Sequence, residues 1–127
     1  MIDVQFADDI LDRLKKRNPR FQGKAYLFVL SSLHHVISHL KQPRHISGPE
    51  LAEGVRTLAI ERFGLLARTV LEHWGLHGTK DVGEIVFALV DAGILITQED
   101  DRPEDFEGLF DFEDAFDRNY PWVVGGS

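Results

Sequence analysis

Two histidines, His35 and His39, are the residues of this sequence with the clearest potential for chemistry. Side chains four positions apart lie on the same face of a helix, and two neutral imidazoles so placed can bind one Zn²⁺ or a similar divalent ion. A complete site also needs a carboxylate or a third histidine, and His34 points about 100° away from the pair. We favour the alternative that both histidines lie at a packing boundary or a subunit interface. We therefore predict no metal and no other cofactor, with His35 and His39 as the candidate ligands if a metal binds.

Motifs of known enzyme classes are missing from the sequence. It contains no G-x-S-x-G, no phosphate-binding loop and no G-x-G-x-x-G. It also contains no cysteine, which excludes disulfides, thiolate catalysis and cysteine-bound metals. We therefore expect no catalytic residues and a protein that is not an enzyme.

The order of elements in the second half is that of a winged helix-turn-helix. A helix over residues 68–75, a short turn, a helix over 80–92 and a possible hairpin follow one another. The outward face of the would-be recognition helix carries Asp81, Glu84 and Asp91, which would meet phosphates and base edges. We therefore predict a winged-helix-like arrangement and consider a nucleic-acid partner the less favoured alternative.

Residues 24–40 form the predicted central helix, which is unusual in having no charged residue after Lys24. An apolar stripe runs along one side. The opposite side is uncharged and carries an aromatic ring, and its residues are Phe28, Ser31, Ser32, His35 and His39. Solvent-exposed helices normally carry charges on such a side. We therefore expect this helix to be covered on more than one side, by other helices or by a second subunit, and to end at Gln42 before Pro43.

Four further helices are predicted from apolar periodicity and end signals. They cover residues 3–17, a segment from a Ser47 cap to about Phe63, residues 65–74 and about residues 80–92. Ser47 and Glu50 have the spacing of a capping box, and Thr79, or Asp81 with Glu84, is expected to cap the last helix. Apolar residues cover more than half of the circumference of that helix, so we expect it to be largely buried. The prediction is a mainly α fold of about five helices.

The C-terminal part shows a different pattern. Residues 94–97 are apolar and β-branched, and apolar residues alternate over 106–110, so we expect a short β-hairpin or an extended segment. Residues 111–118 favour one or two helical turns, and residues 119–124 favour an extended chain. We expect a single domain over residues 1–127, in which a helical body (1–97) carries an acidic, Phe-rich segment (98–127) packed on it.

The negative charge of the chain is concentrated in one segment. The 127 residues have a formal net charge of −7, and residues 99–118 contain ten acids and two bases. No calcium-loop spacing can be placed there, and an acidic surface suits basic partners. No apolar run approaches the ~20 residues that cross a bilayer, and the acidic start is unlike a signal peptide. We therefore expect a cytoplasmic protein without a membrane partner.

Four stretches of this sequence carry a resemblance to a known family. They are residues 44–51, which read R-H-I-S-G-P-E-L, residues 67–75, which read A-R-T-V-L-E-H-W-G, and the shorter stretches at 83–90 and 111–116. With them the chain resembles an uncharacterised family of small bacterial proteins to which no activity is assigned. The resemblance covers nearly the whole chain and implies a bacterial, cytoplasmic, stand-alone domain, but it carries over no functional residues.

The hypothesis that these observations favour is a non-enzymatic protein-interaction or self-association module. Its partner would be another protein or a second copy of the chain, and a small-molecule ligand stays undefined. The alternatives are a small divalent-metal protein using His35 and His39, and a winged-helix-like protein associated with nucleic acid. The candidate interaction residues are Phe28, Ser32, His35, His39, Arg44 and His45.

Overall fold

The chain is mainly helical in a computed structural model that describes residues 12–14, 16, 18–98 and 101–118, so the predicted fold class is confirmed at that level. The α-helices of residues 18–98 are α1 (Gly23–Ser38), α2 (Gly48–Phe63), α3 (Ala67–His73) and α4 (Thr79–Asp91). Short 3-10 helices cover Gly64–Leu66 and Pro103–Phe106, and a π-helix covers Glu113–Arg118. Residues 12–14 and 16 are helical, while the rest of the helix predicted over 3–17 and the extended chain predicted over 119–124 lie outside the described residues.

Helix α1 is covered on two sides in its first half. Tyr26 is buried on the apolar side, and Phe28 and Ser32 are buried on the other. The cover on Phe28 comes from the same chain, because the rings of Phe63 and Trp74 lie 5.6 and 5.7 Å from its ring. The predicted covering on more than one side is therefore confirmed for this half of the helix.

Helix α1 ends at Ser38, earlier than predicted, because side chains compete with the backbone for its last carbonyl groups. The Ser38 hydroxyl donates to the His35 carbonyl oxygen at 2.8 Å, and the His39 Nδ1 lies 2.7 Å from the same oxygen. The His39 amide then donates to the Val36 carbonyl instead, which tightens the last turn.

Helix α2 begins at the predicted capping box. The Ser47 hydroxyl accepts from the Glu50 amide at 3.3 Å, and the Ser47 amide donates to the Glu50 carboxylate at 3.1 Å. Two of the amides that a helix start leaves unpaired are satisfied in this way. Farther along α2, Gly54 permits a close approach to α1, since a Cβ there would lie 2.3 Å from Val36 Cγ2.

Helix α4 buries the largest fraction of its residues among the α-helices of the described structure. It buries seven of its thirteen residues, including Val82, Ile85 and Leu89, which confirms the predicted burial. The predicted cap by Thr79 was wrong: the helix begins after Gly78 without a side-chain cap, and the buried Thr79 hydroxyl instead accepts from the Leu109 amide at 3.3 Å. The Asp81 carboxylate accepts from an amide just before the helix, that of His77 at 2.8 Å.

The predicted β-hairpin was wrong, because residues 94–98 and 101–110 contain no strand. After α4, the amides of Ile94 and Leu95 both donate to the Leu89 carbonyl, so they close the end of the helix and cannot start a strand ladder. Phe106 belongs to a 3-10 turn that places its ring in the core. Without a hairpin there is no wing, so the winged-helix-like arrangement was also wrong for these residues.

The acidic segment packs on the helices through its aromatic rings. Phe106, Phe112 and Phe116 are buried, and the rings of Phe112 and Phe116 meet edge to face at 5.1 Å. Residues 113–118 form the π-helix, which agrees with the helical turns predicted there. An ion pair at 2.6 Å between Arg68 of α3 and Asp117 holds this end of the segment.

Candidate functional site

A cavity of about 220 Å³ lies where four parts of the chain meet. The parts are the second half of α1, the turn that leads into α2, the second half of α4, and residues 95–97 together with 101–106. Its lining is largely apolar and includes Leu33, Ile37, Leu51, Val86, Val90 and Phe106. An enclosed apolar pocket with a few polar groups at its mouth is the usual form of a ligand site.

Helices α1 and α4 each present a pair of residues four positions apart to the cavity. Leu33 and Ile37 come from α1, and Val86 and Val90 come from α4. Residues at this spacing lie one above the other on a helix face. The cavity is therefore bounded by two regular helices, which give its walls a fixed geometry.

Phe106 closes the floor of the cavity, and two glycines make room for it. A Cβ on Gly83 of α4 would lie 2.8 Å from Phe106 Cβ and 2.9 Å from its ring. A Cβ on Gly48 would lie 3.4 Å from the same ring. Phe106 is only 4 % exposed. The acidic segment therefore attaches beside the pocket through a ring that any larger residue at position 83 would displace.

One side of the pocket mouth is formed by Arg44, which is held by Glu50. The guanidinium donates to both carboxylate oxygens, at 2.9 and 2.6 Å. Hydrogen bonding from Arg44, assisted by the Ser47 amide, lowers the pKa of Glu50 to about 2, and the carboxylate in turn raises the pKa of Arg44. The capping box of α2 and the rim of the pocket therefore share one carboxylate.

A second ion pair joins the two sides of the mouth. His45 Nε2 lies 2.9 Å from an Asp101 carboxylate oxygen, and that carboxylate also accepts from the Gln98 amide at 2.7 Å. Close by, the Asp105 carboxylate accepts from the Arg102 amide at 3.0 Å. The contact between His45 and Asp101 thus holds the segment after α4 against the turn before α2, on the opposite side of the pocket mouth.

The candidate interaction residues fall in three different places. Arg44 and His45 line the mouth of the pocket. Phe28 and Ser32 are 3 % and 0 % exposed, so they are unavailable to a partner. The sequence predicted that other helices or a second subunit cover this uncharged side, and at Phe28 the cover comes from Phe63 of α2 and from Trp74 of the same chain.

His35, in the last turn of α1, and His39, just after its end, lie together away from the pocket. Their ring centroids are 4.5 Å apart, and both line a shallow groove between α1 and α2. Within the described residues, no group of three His, Cys, Asp or Glu side chains is placed to hold a metal ion. The metal hypothesis therefore has no third ligand in this part of the chain.

The placement of α4 bears on the nucleic-acid alternative. Only Lys80 and Asp91 of this helix are fully exposed. Arg20 pairs with both Asp81, at 3.0 Å, and Glu84 on its outer side. A recognition helix has to enter a groove of the duplex with its side chains free, and α4 instead fills the protein core.

The pocket itself was missed by sequence reasoning, although one signal pointed toward it. An isolated glycine inside a helical pattern, as at Gly83, often marks a close approach of another part of the chain. That signal does not say which residue approaches, and Phe106 is more than twenty positions away.

No family model, curated protein or solved structure matches this chain. The resemblance to a bacterial family therefore stays a prediction. In the part of the chain that the structure describes, no helix has the length and apolar character needed to cross a membrane.

Proposed function

We propose that the protein is a non-enzymatic protein-interaction module whose pocket receives one large apolar side chain of a partner. The pocket carries this proposal, because it encloses about 220 Å³ behind an open mouth. A dry cavity of about 150 Å³ holds benzene, so a phenyl or indole ring fits here. Buried aromatic anchors in such pockets supply much of the binding energy in protein interfaces.

The polar groups at the mouth favour an uncharged anchor. Arg44 is held by Glu50, and His45 is held by Asp101, so neither side chain needs a charged partner from a ligand. A charged group pushed into the apolar cavity would lose its hydration without gaining a partner. An aromatic or branched aliphatic side chain has no such cost.

The direct test uses indole, the tryptophan side chain without its backbone, and detects binding by ligand-observed NMR. Val90→Phe places a ring in the cavity from α4 and should abolish the indole signal. Lys80→Phe adds the same ring on the same helix at an exposed position outside the pocket, and it should leave the signal unchanged. Circular dichroism checks that both variants keep the helical content of the wild type.

Two results would count against the proposal. One is a wild-type protein that gives no indole signal. The other is a folded Val90→Phe variant that binds indole as well as Lys80→Phe does, since binding would then lie outside the cavity.

Self-association is a second candidate, and a specific observation favours it. Leu27 and Ile37 are 46 % and 45 % exposed on α1, and the positions between them, including the half-buried Ser31 and the exposed His34, are uncharged. Light scattering at about pH 5.5 and 8 brackets histidine titration and measures the solution mass. A dimer that is lost in His34→Lys but kept in Thr69→Lys, an exposed position on α3, would support this surface of α1 as the dimer interface. An unchanged mass in His34→Lys would exclude it.

A further inference from the structure

We infer that the partner's apolar anchor is flanked by basic residues; this inference rests on the proposed function of the pocket. It follows from the unequal charge of the two walls that form the pocket mouth. The pocket supplies the binding site, and the walls decide which flanking sequence can lie against it.

The wall formed by residues 101–107 is acidic. Asp101, Glu104, Asp105 and Glu107 give it four carboxylates against the single base Arg102. Glu104, Asp105 and Glu107 are all exposed. Glu104 and Glu107 have no ion-pair partner among the described residues, so their charge is open to a ligand.

The opposite wall contributes little charge of its own. Its two basic side chains, Arg44 and His45, already contact Glu50 and Asp101 at 2.6 and 2.9 Å. The pairing of Arg44 with Glu50 is bidentate, the strongest geometry for such a pair. The field at the mouth is therefore set by the acidic wall, with Arg102 offsetting one of its charges.

The position of Phe106 connects this charge to the anchor. Its ring lines the cavity, and its neighbours in the sequence are Asp105 and Glu107. A partner ring that contacts Phe106 thus places its own neighbouring residues next to these carboxylates. Lysine or arginine there would be attracted, whereas aspartate or glutamate would be repelled.

The test uses fluorescein-labelled peptides that share a central tryptophan. The basic probe is Lys-Lys-Gly-Trp-Gly-Lys-Lys, the acidic probe has glutamate in place of lysine, and a third probe keeps the lysines but has alanine for tryptophan. Fluorescence anisotropy gives their affinities. We expect the basic tryptophan probe to bind about tenfold more tightly than the acidic one, because each exposed charge pair contributes little but several act together.

Protein variants assign the difference to the acidic wall. Glu104→Gln with Glu107→Gln should reduce the preference to about threefold. The matched control, Glu53→Gln with Glu61→Gln, removes the same charge from α2 outside the pocket and should keep it near tenfold. A preference that is equal in the two variants would overturn the inference, since it would come from net charge alone.

The outcomes separate this inference from the proposed function. Equal binding of the basic and acidic tryptophan probes, both blocked by Val90→Phe, would overturn the basic-flank inference and leave the pocket as the interaction site. Equal binding of the alanine and tryptophan probes would overturn both, because the cavity would then make no contribution. Binding that requires both tryptophan and lysine supports both.

Discussion

Replacing Gly83 by alanine tests the packing that forms the pocket floor. The residue lies inside α4, and its added Cβ would lie 2.8 Å from Phe106 Cβ and 2.9 Å from two atoms of the ring. Real Cβ atoms do not approach other carbons so closely, so the Phe106 side chain has to move out of its position in the core. The substitution therefore improves the helix propensity of α4 but disrupts its packing against Phe106.

The two effects have opposite signs and different sizes. Alanine in place of glycine in a helix interior stabilises by about 1 kcal/mol. Expelling a buried phenylalanine loses about 1.5–3 kcal/mol of apolar burial, and Phe106 is 4 % exposed. We therefore expect Gly83→Ala to lower the free energy of unfolding by about 0.5–2 kcal/mol.

Urea unfolding followed by circular dichroism measures this change, and a double-mutant cycle identifies its cause. Phe106→Ala removes the two ring contacts at 2.9 Å and keeps only the Cβ contact at 2.8 Å, so Gly83→Ala should cost less in that background. The two changes should therefore be strongly non-additive, as expected for residues in contact. A Gly83→Ala variant as stable as the wild type, or strictly additive effects, would refute the packing argument.

Three further changes test other parts of the structure. Phe112→Ala removes a buried ring that does not line the pocket. It should lower the free energy of unfolding in urea by about 3 kcal/mol and leave indole binding intact. Loss of indole binding would show that the two ends of the acidic segment are not independent. Because the pKa of Glu50 is lowered to about 2 in the folded protein, its stabilisation is present above the unfolded value of about 4.3 and is lost as the pH falls toward 2. Glu50→Gln should therefore show a smaller drop in melting temperature than the wild type over that range, and parallel curves would contradict this. Gly54→Ala places a Cβ 2.3 Å from Val36 Cγ2 and should lower the free energy of unfolding by about 1–3 kcal/mol. Adding Val36→Ala should restore part of this loss. A Gly54→Ala variant as stable as the wild type would mean that α1 and α2 can separate without cost.

Features set by neighbouring residues could be predicted from the sequence. The capping box at Ser47 and Glu50 depends on side chains three positions apart, and it forms as predicted. The burial of α4 follows from apolar residues that cover more than half of its circumference, and it was also predicted correctly. In both cases the deciding sequence pattern lies within one helix and its cap, where residue spacing determines which side chains share a face.

Features set by distant residues were missed or misinterpreted. Alternation around Phe106 indicated a strand, yet the ring enters the space above Gly83 and its backbone takes a 3-10 turn to do so. The uncharged side of α1 indicated a partner, yet Phe28 is covered by Phe63 and Trp74 of the same chain. An amphipathic or uncharged face shows that something covers it, but composition alone does not distinguish the same chain from another molecule.

The turn before α2 links helix formation to the pocket. Ser47 and Glu50 begin the helix, Glu50 also holds Arg44 at the pocket mouth, and Gly48 lies against the ring of Phe106. A change that frees Glu50 therefore acts on the start of α2 and on the mouth at the same time. Protonation of this carboxylate should accordingly loosen both, so acid should weaken anchor binding over the same pH range in which it lowers the contribution of Glu50 to stability.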